Sequence, residues 1–245
     1  MSLNINHIGK TYKHGMINTR FTQALIDVSF FAPNGSILAV IGQNGAGKTT
    51  LIKCILNLLH PDIGDINFDD KTIDDIIREG NLGYMPENLH FPDMITFKEY
   101  ITDIMILRGK NINVYKERFD RLVDKLFLTD HINKNMSEYS KGTMKKVAFI
   151  QAVLHQPKLL VLDEPTDGLD PVSRRVLLNE LIEIKQAGGI VLITTHILSD
   201  LELIADKVVV LQKGTIIKEE ILSKIETSLD DWYLNTLIEN GGMNL

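Results

Sequence analysis

The chain has 245 residues, of which 44% are hydrophobic and 24% charged, so it can bury a substantial core and does not have the charge excess of a disordered polymer. A formal net charge of −6 argues against a nucleic-acid-binding surface as its main business, since phosphate backbones call for basic patches. The single cysteine, Cys54, excludes an internal disulfide and fits a reducing compartment.

From Met1 to Gly15 there is no apolar stretch of signal-peptide type, and no run approaches the roughly 18 residues needed to span a bilayer. A membrane role would therefore act through a partner. In chain order, Leu3–Ile8, Ala24–Phe31 and Ser36–Ile41 read as strands, with Pro33-Asn34-Gly35 as the turn between the last two. Ile37–Ile41 is apolar on both faces, as expected inside a parallel sheet. A glycine-rich loop precedes a helical run over Thr49–Leu59, in which Cys54 reads as a small core residue.

The character changes near Phe91. Phe97, Tyr100, Ile101, Ile104 and Leu107 recur at helical spacing, then Phe119, Leu122, Val123, Leu126 and Phe127, then a third helix from Lys141 to His155. Strand–helix alternation resumes with Leu159–Leu162, Pro171–Lys185, Ile190–Thr195, Leu198–Ala205 and Lys207–Leu211, and a turn at Gln212-Lys213-Gly214 leads into Thr215–Lys218. This alternation predicts a doubly wound sheet. Leu222–Asn240 reads as one or two short helices.

Gly42-Gln43-Asn44-Gly45-Ala46-Gly47-Lys48-Thr49 matches G-x-x-x-x-G-K-[ST] between a buried strand and a helix start, with Thr50 following. Glycines let the backbone wrap a phosphate with its N–H groups inward, and the helix N-terminus adds partial positive charge. Lys48 is placed for β- and γ-phosphates and Thr49 for Mg²⁺. The strand Leu159–Leu162 ends in Asp163-Glu164, which delivers two carboxylates to the carboxyl edge of a parallel sheet. Asp163 suits a metal, and Glu164 suits activation of a water against a γ-phosphate.

Further segments make the resemblance specific. Tyr139-Ser140-Lys141-Gly142-Thr143 is similar to the signature motif of ABC ATPases, Asp167-Gly168-Leu169-Asp170-Pro171 to their D-loop, Thr195-His196 to their switch histidine, and Gly83-Tyr84-Met85-Pro86-Glu87 to the segment leading into their Q-loop. The chain thus resembles the ATP-binding subunit of an ABC transporter from about Leu3 to Glu220.

The fold implied is α/β: a P-loop NTPase (RecA-like) core with an N-terminal antiparallel β-subdomain and a helical insertion. The core would span residues 1–90 and 158–221, the helical signature subdomain 91–157, and a short C-terminal helical tail 222–245. The resemblance implies ATP and Mg²⁺ as cofactors, and catalytic roles for Lys48, Glu164 and His196. Metal contacts would come from Thr49, Asp163 and Glu87. Nucleotide contacts would come from Tyr12 at the adenine, the 42–50 loop, Glu87, Asp170, and Ser140 and Gly142 of a second subunit.

Three departures stand out. Glu87 replaces the usual glutamine, Lys141 and Thr143 replace glycine and glutamine, and the stretch Tyr12–Ala24 is longer than usual, which leaves Phe21 as a rival for adenine. Expected partners are a second copy of the subunit and an integral membrane permease, on the cytoplasmic face of a membrane, with no nucleic acid. Leu89, Phe91, Phe97 and Tyr100 are candidates for the permease-facing groove. The Tyr-Ser-Lys-Gly signature and the Gly-Tyr-Met-Pro-Glu-Asn run look like exporters of the ABC-2 type. A soluble ABC ATPase acting on DNA or ribosomes is the competing reading, and the cargo is illegible because its selectivity would lie in another subunit.

Overall fold

A computed structural model describes residues 2–14, 20–69 and 71–241. Its strands form two sheets. Strands β1 (Leu3–His14), β2 (Arg20–Ala32) and β4 (Ile63–Phe68) make an antiparallel sheet in the order β2-β1-β4. The larger sheet has the order β5-β6-β7-β3-β8-β9, built from β3 (Ser36–Ile41), β5 (Leu82–Met85), β6 (Leu159–Asp163), β7 (Ile190–Thr194), β8 (Lys207–Gln212) and β9 (Thr215–Ile221). Its pairings are parallel except at the β8–β9 hairpin.

The period-2 geometry of a strand divides the interior into two cores. Ile37, Ala39 and Ile41 of β3 join Leu160 and Leu162 of β6 and Val191 and Ile193 of β7 on one face. Leu38 and Val40, with Leu159, Val161, Ile190 and Leu192, join the other. The second face packs on α1 (Lys48–Ile55), α2 (Ile73–Arg78) and the small sheet. The first packs on α5 (Lys141–Val153), α6 (Pro171–Gln186) and α7 (Leu198–Ile204). Helices on both faces of a mostly parallel sheet are the doubly wound arrangement, so the α/β class and its antiparallel β-subdomain hold.

The segment 91–157 is helical. It contributes α3 (Phe97–Leu107), opened by a Thr96/Glu99 capping box, then α4 (Lys116–Lys125) and α5. Its buried side chains Phe97, Ile101, Met105, Leu122 and Met136 belong to the same core as the first sheet face. A buried ion-pair cluster adds to this. Glu180 of α6 has no exposed surface, and Arg118, Arg121 and Lys125 of α4 reach its carboxylate at 2.9, 3.5 and 3.5 Å. The three cations sit on one face of α4 because their spacing follows the helical repeat.

Several elements differ from the sequence reading. Strand β4, helix α2 and strand β5 carry too few periodic residues to be foreseen; β4 is largely exposed along its length. Strand β9 runs on to Ile221; the tail, as expected, holds short helical pieces, a 3-10 turn at Leu222–Lys224 and α8 (Leu229–Glu239), the latter anchored by buried Leu229 and Leu237. Phe97 is corrected as a permease-facing candidate, because it is fully buried against Phe119. Leu89, Phe91 and Tyr100 stay half-buried, with Phe91 edge-on to Tyr100. Residues 15–19, within the long Tyr12–Ala24 stretch noted above, and 242–245 lie outside the described residues. Cys54 is buried, and burial pushes its thiol up to about 11, which keeps it unreactive. No helix among the described residues is long and apolar enough to cross a membrane.

Candidate functional site

Strands β6, β7 and β3 are parallel neighbours, so their carboxyl ends open on one edge, where α/β sheets bind ligands. The loop after β3 is the 42–47 segment. A Cβ at Gly42 would lie 2.3 Å from the Leu211 carbonyl oxygen, so only glycine lets the strand end pass that backbone. Gly47 has φ +112°, and a Cβ there would lie 2.5 Å from the Ala24 carbonyl oxygen. The N-terminus of α1 that follows has no side-chain cap, so its first N–H groups remain available to an anion. The Lys48 ammonium folds back onto the loop, donating to the carbonyls of Gly42 at 2.5 Å and Gln43 at 3.3 Å.

This loop forms a cleft of about 250 Å³ with Thr22–Ala24 of β2, and residues 44–50 face Glu87, Asp163 and Glu164 across it. Asp163 is 4% exposed and accepts from the Thr194 hydroxyl of the neighbouring strand. Burial raises its pKa, the Thr194 hydrogen bond opposes the rise, and the Glu87 and Glu164 charges add to it. A hydroxyl at Thr49 and carboxylates at Asp163 and Glu87 are the hard-oxygen donors Mg²⁺ takes. A cation there would relieve the buried negative charge, so the residues fit the group.

Glu164 is held through its backbone N–H, its carbonyl and Oε2. It has φ +50°, left-handed for a side-chain-bearing residue, and it precedes Pro165, which also restricts it. Such a conformation costs on the order of 1–3 kcal/mol and persists only where surroundings impose it. Its N–H donates to the Thr194 carbonyl at 2.9 Å. Its Oε2 accepts from the His196 backbone N–H at 3.2 Å and lies 2.9 Å from His196 Nδ1. His196 itself is 66% exposed, so it is not a core histidine; its ring stands at the mouth of the edge.

Tyr12 and Phe21 fall on opposite faces of the β1–β2 hairpin. Tyr12 pairs with Thr22, a cleft residue, and Phe21 pairs with Lys13. The Tyr12 hydroxyl is 3.4 Å from Thr50 Oγ1, whereas Phe21 is 69% exposed on the far side. This geometry favours Tyr12 as the aromatic beside the loop.

Ser140, Gly142 and Asp170 do not line the cleft. Ser140 is the exposed N-cap of α5, accepting from the Thr143 N–H at 3.2 Å, and Gly142 is the second residue of that helix. Asp170 caps α6, accepting from the Ser173 N–H at 2.8 Å and its hydroxyl at 2.6 Å, with Lys146 at 3.1 Å. These partners, the Ser173 bonds first, hold its carboxyl far below the usual carboxylate range.

Sequence reading missed Thr22–Ala24, Thr194 and Lys145. Nothing local marks them, because each reaches the site from a distant part of the chain.

A family model described as "ABC transporter" matches residues 25–167. The chain is 31% identical over 233 residues to the ABC transporter ATP-binding protein YhaQ of Bacillus subtilis (strain 168), covering 92% of this chain and 73% of that one. It is 35% identical over 200 residues to a putative ABC transporter ATP-binding protein of Mycoplasma pneumoniae, covering 81% of this chain and 61% of that one. Among solved structures, an ATP-binding subunit of an ABC transporter superposes with a TM-score of 0.85 at 29% identity over 96% of this chain and 99% of the other. The dimeric ATP-binding cassette MJ0796, solved with ADP and Pi, has the same fold, with a TM-score of 0.79 at 21% identity over 90% and 98%.

Proposed function

Since the chain belongs to the ABC transporter family, as its ATP-binding subunit, we propose that it binds Mg²⁺-ATP at the cleft of the 42–50 loop and hydrolyses it as one half of a two-subunit sandwich. The single observation that carries this reading is the division of the site. Lys48, Asp163 and Glu164 surround one cleft, whereas Ser140 and Gly142 sit at an exposed helix N-terminus that does not line it. A helix start presented outward is suited to complete the corresponding cleft of a second copy.

In this reading the loop N–H groups and Lys48 hold the β- and γ-phosphates, and Lys48 exchanges its two loop carbonyls for them. Thr49, Asp163 and Glu87 hold Mg²⁺, which neutralises phosphate charge when bound. Glu164 takes the proton from the attacking water, and His196 orients the Glu164 carboxylate through the 2.9 Å contact. Tyr12 stacks on adenine. Asp170 keeps α6 registered beside the partner.

The energy is coupled to a separate membrane permease, with the half-buried Leu89, Phe91 and Tyr100 and the exposed Met94 beside the contact. The subunit then sits on the cytoplasmic face. The Tyr139–Gly142 pattern supports an exporter.

The test mixes two inactive variants. Glu164→Gln should lose about 10²–10⁴-fold in turnover while still binding ATP. Ser140→Arg puts a bulky cation at the outward helix start and should also stop hydrolysis. A mixed dimer carries both lesions in one site and none in the other, so mixing should restore part of the activity. If mixing restores nothing and activity per subunit is independent of concentration, the chain acts alone and the sandwich is wrong.

A further inference from the structure

Lys145 projects from α5 and is 13% exposed at its side chain. Its ammonium donates to the carbonyl of Glu164 at 3.0 Å and to that of Asp167 at 2.7 Å, and lies 3.4 Å from the Asp167 carboxylate. The three N–H groups thus meet three acceptors. The two carbonyls are the close partners. The carboxylate is longer and half-exposed, the kind of ion pair that contributes little. Lys145 therefore acts mainly as a clamp on the backbone of the turn from Glu164 to Asp167.

That turn contains the strained residue of the site. Glu164 is left-handed and precedes proline, and its N–H and Oε2 are held by Thr194 and His196. Its carbonyl is the remaining polar point of the backbone, and Lys145 is what holds it. We propose that Lys145 is a positioning residue for hydrolysis: it fixes the Glu164 backbone so that the carboxylate stays aimed at the attacking water. Because Lys145 lies on the helix that Ser140 opens, a shift of α5 is carried to Glu164 within the same subunit. The inference rests on Glu164 serving as the base.

The experiment measures kcat and KM of the full chain with Lys145→Met and Lys145→Arg, together with affinity for a fluorescent ATP analogue. Lys145→Met should lower kcat by about tenfold or more, with affinity and KM changed no more than about twofold, because misaiming costs rate without touching the phosphate loop. Lys145→Arg, which retains charge and donors, should recover to within about threefold of the parent. In a Glu164→Gln background, under single-turnover conditions with labelled ATP, Lys145→Met should add no further loss, since it acts through the missing carboxylate. An unchanged kcat, a parallel loss of affinity, or losses that multiply in the double variant would overturn the proposal. Should Lys145→Met not fold, Lys145→Gln, with a shorter polar head, takes its place under the same expectations. Wild-type turnover by Glu164→Gln alone would remove the base assignment and the inference with it; an inactive Glu164→Gln beside a fully active Lys145→Met would remove the inference alone.

Discussion

The Glu180 cluster allows a stability prediction to be worked from the structure. Glu180→Ala removes a fully buried carboxylate and leaves Arg118, only 13% exposed, without its 2.9 Å partner. Breaking a buried pair in this way costs roughly 3–5 kcal/mol, because the surviving charge stays desolvated. Two features soften the loss here. Arg118 keeps Glu183 at 3.7 Å, and Arg121 and Lys125 are 40% exposed and can turn to water. The expected cost is therefore near the lower end, about 3 kcal/mol. For a chain of this size that corresponds to a fall of roughly 6–12 °C in Tm, readable by scanning calorimetry or circular dichroism. Hydrogen exchange should locate the damage, with protection falling first in α4, which the cluster fastens to α6. Replacing both partners, Arg118→Met with Glu180→Leu, leaves no buried charge and should return most of the stability. A Glu180→Ala variant melting within about 2 °C of the parent would refute the reasoning.

Three further expectations follow from the geometry. His155 is buried, and desolvation, then the Arg108 guanidinium, lowers its pKa to about 3, while its ring stays 3.0 Å from the Leu82 carbonyl. The unfolded chain takes up this proton near the ordinary value of about 6.5 and the folded chain does not, so the contribution is intact above that pH and is lost as pH falls toward 3. Between pH 7 and 5 the loss should be about 2 kcal/mol in urea unfolding and should vanish in His155→Gln. Tyr12→Ala should weaken ATP binding by the roughly 1–3 kcal/mol of one aromatic–base stack, with Phe21→Ala unchanged in an equilibrium titration; the reverse result would move the adenine to the other face of the hairpin. Gly42→Ala drives a Cβ into the Leu211 carbonyl and should lower ATP affinity about tenfold or more by displacing the loop, while an unchanged affinity would show that the strand end tolerates the shift.

What could be read along the chain was whatever is encoded over a few consecutive residues. The glycine loop, the apolar strand ending in Asp163-Glu164, the helix start at Ser140 and the buried strand Ile37–Ile41 are each local, since strand burial, loop conformation and helix capping depend on neighbours in sequence. The short strands β4 and β5 gave no such signal, having little periodicity of their own and owing their order to the sheets they join. Tertiary structure decided the rest. The order β6-β7-β3 puts Thr194 beside Asp163 and His196 beside Glu164. The β1–β2 register pairs Tyr12 with Thr22 and Phe21 with Lys13, which sets the Tyr12 hydroxyl beside Thr50 and leaves Phe21 exposed on the other face. Phe97 follows a helical pattern that cannot distinguish a core from a docking surface, and packing against Phe119 sends it inward. Lys145 carries no signal in the sequence, and its role emerges only when the fold brings the Glu164 turn against it. Contacts between residues far apart in sequence depend on which elements meet, and that is settled only when both cores close around the central sheet.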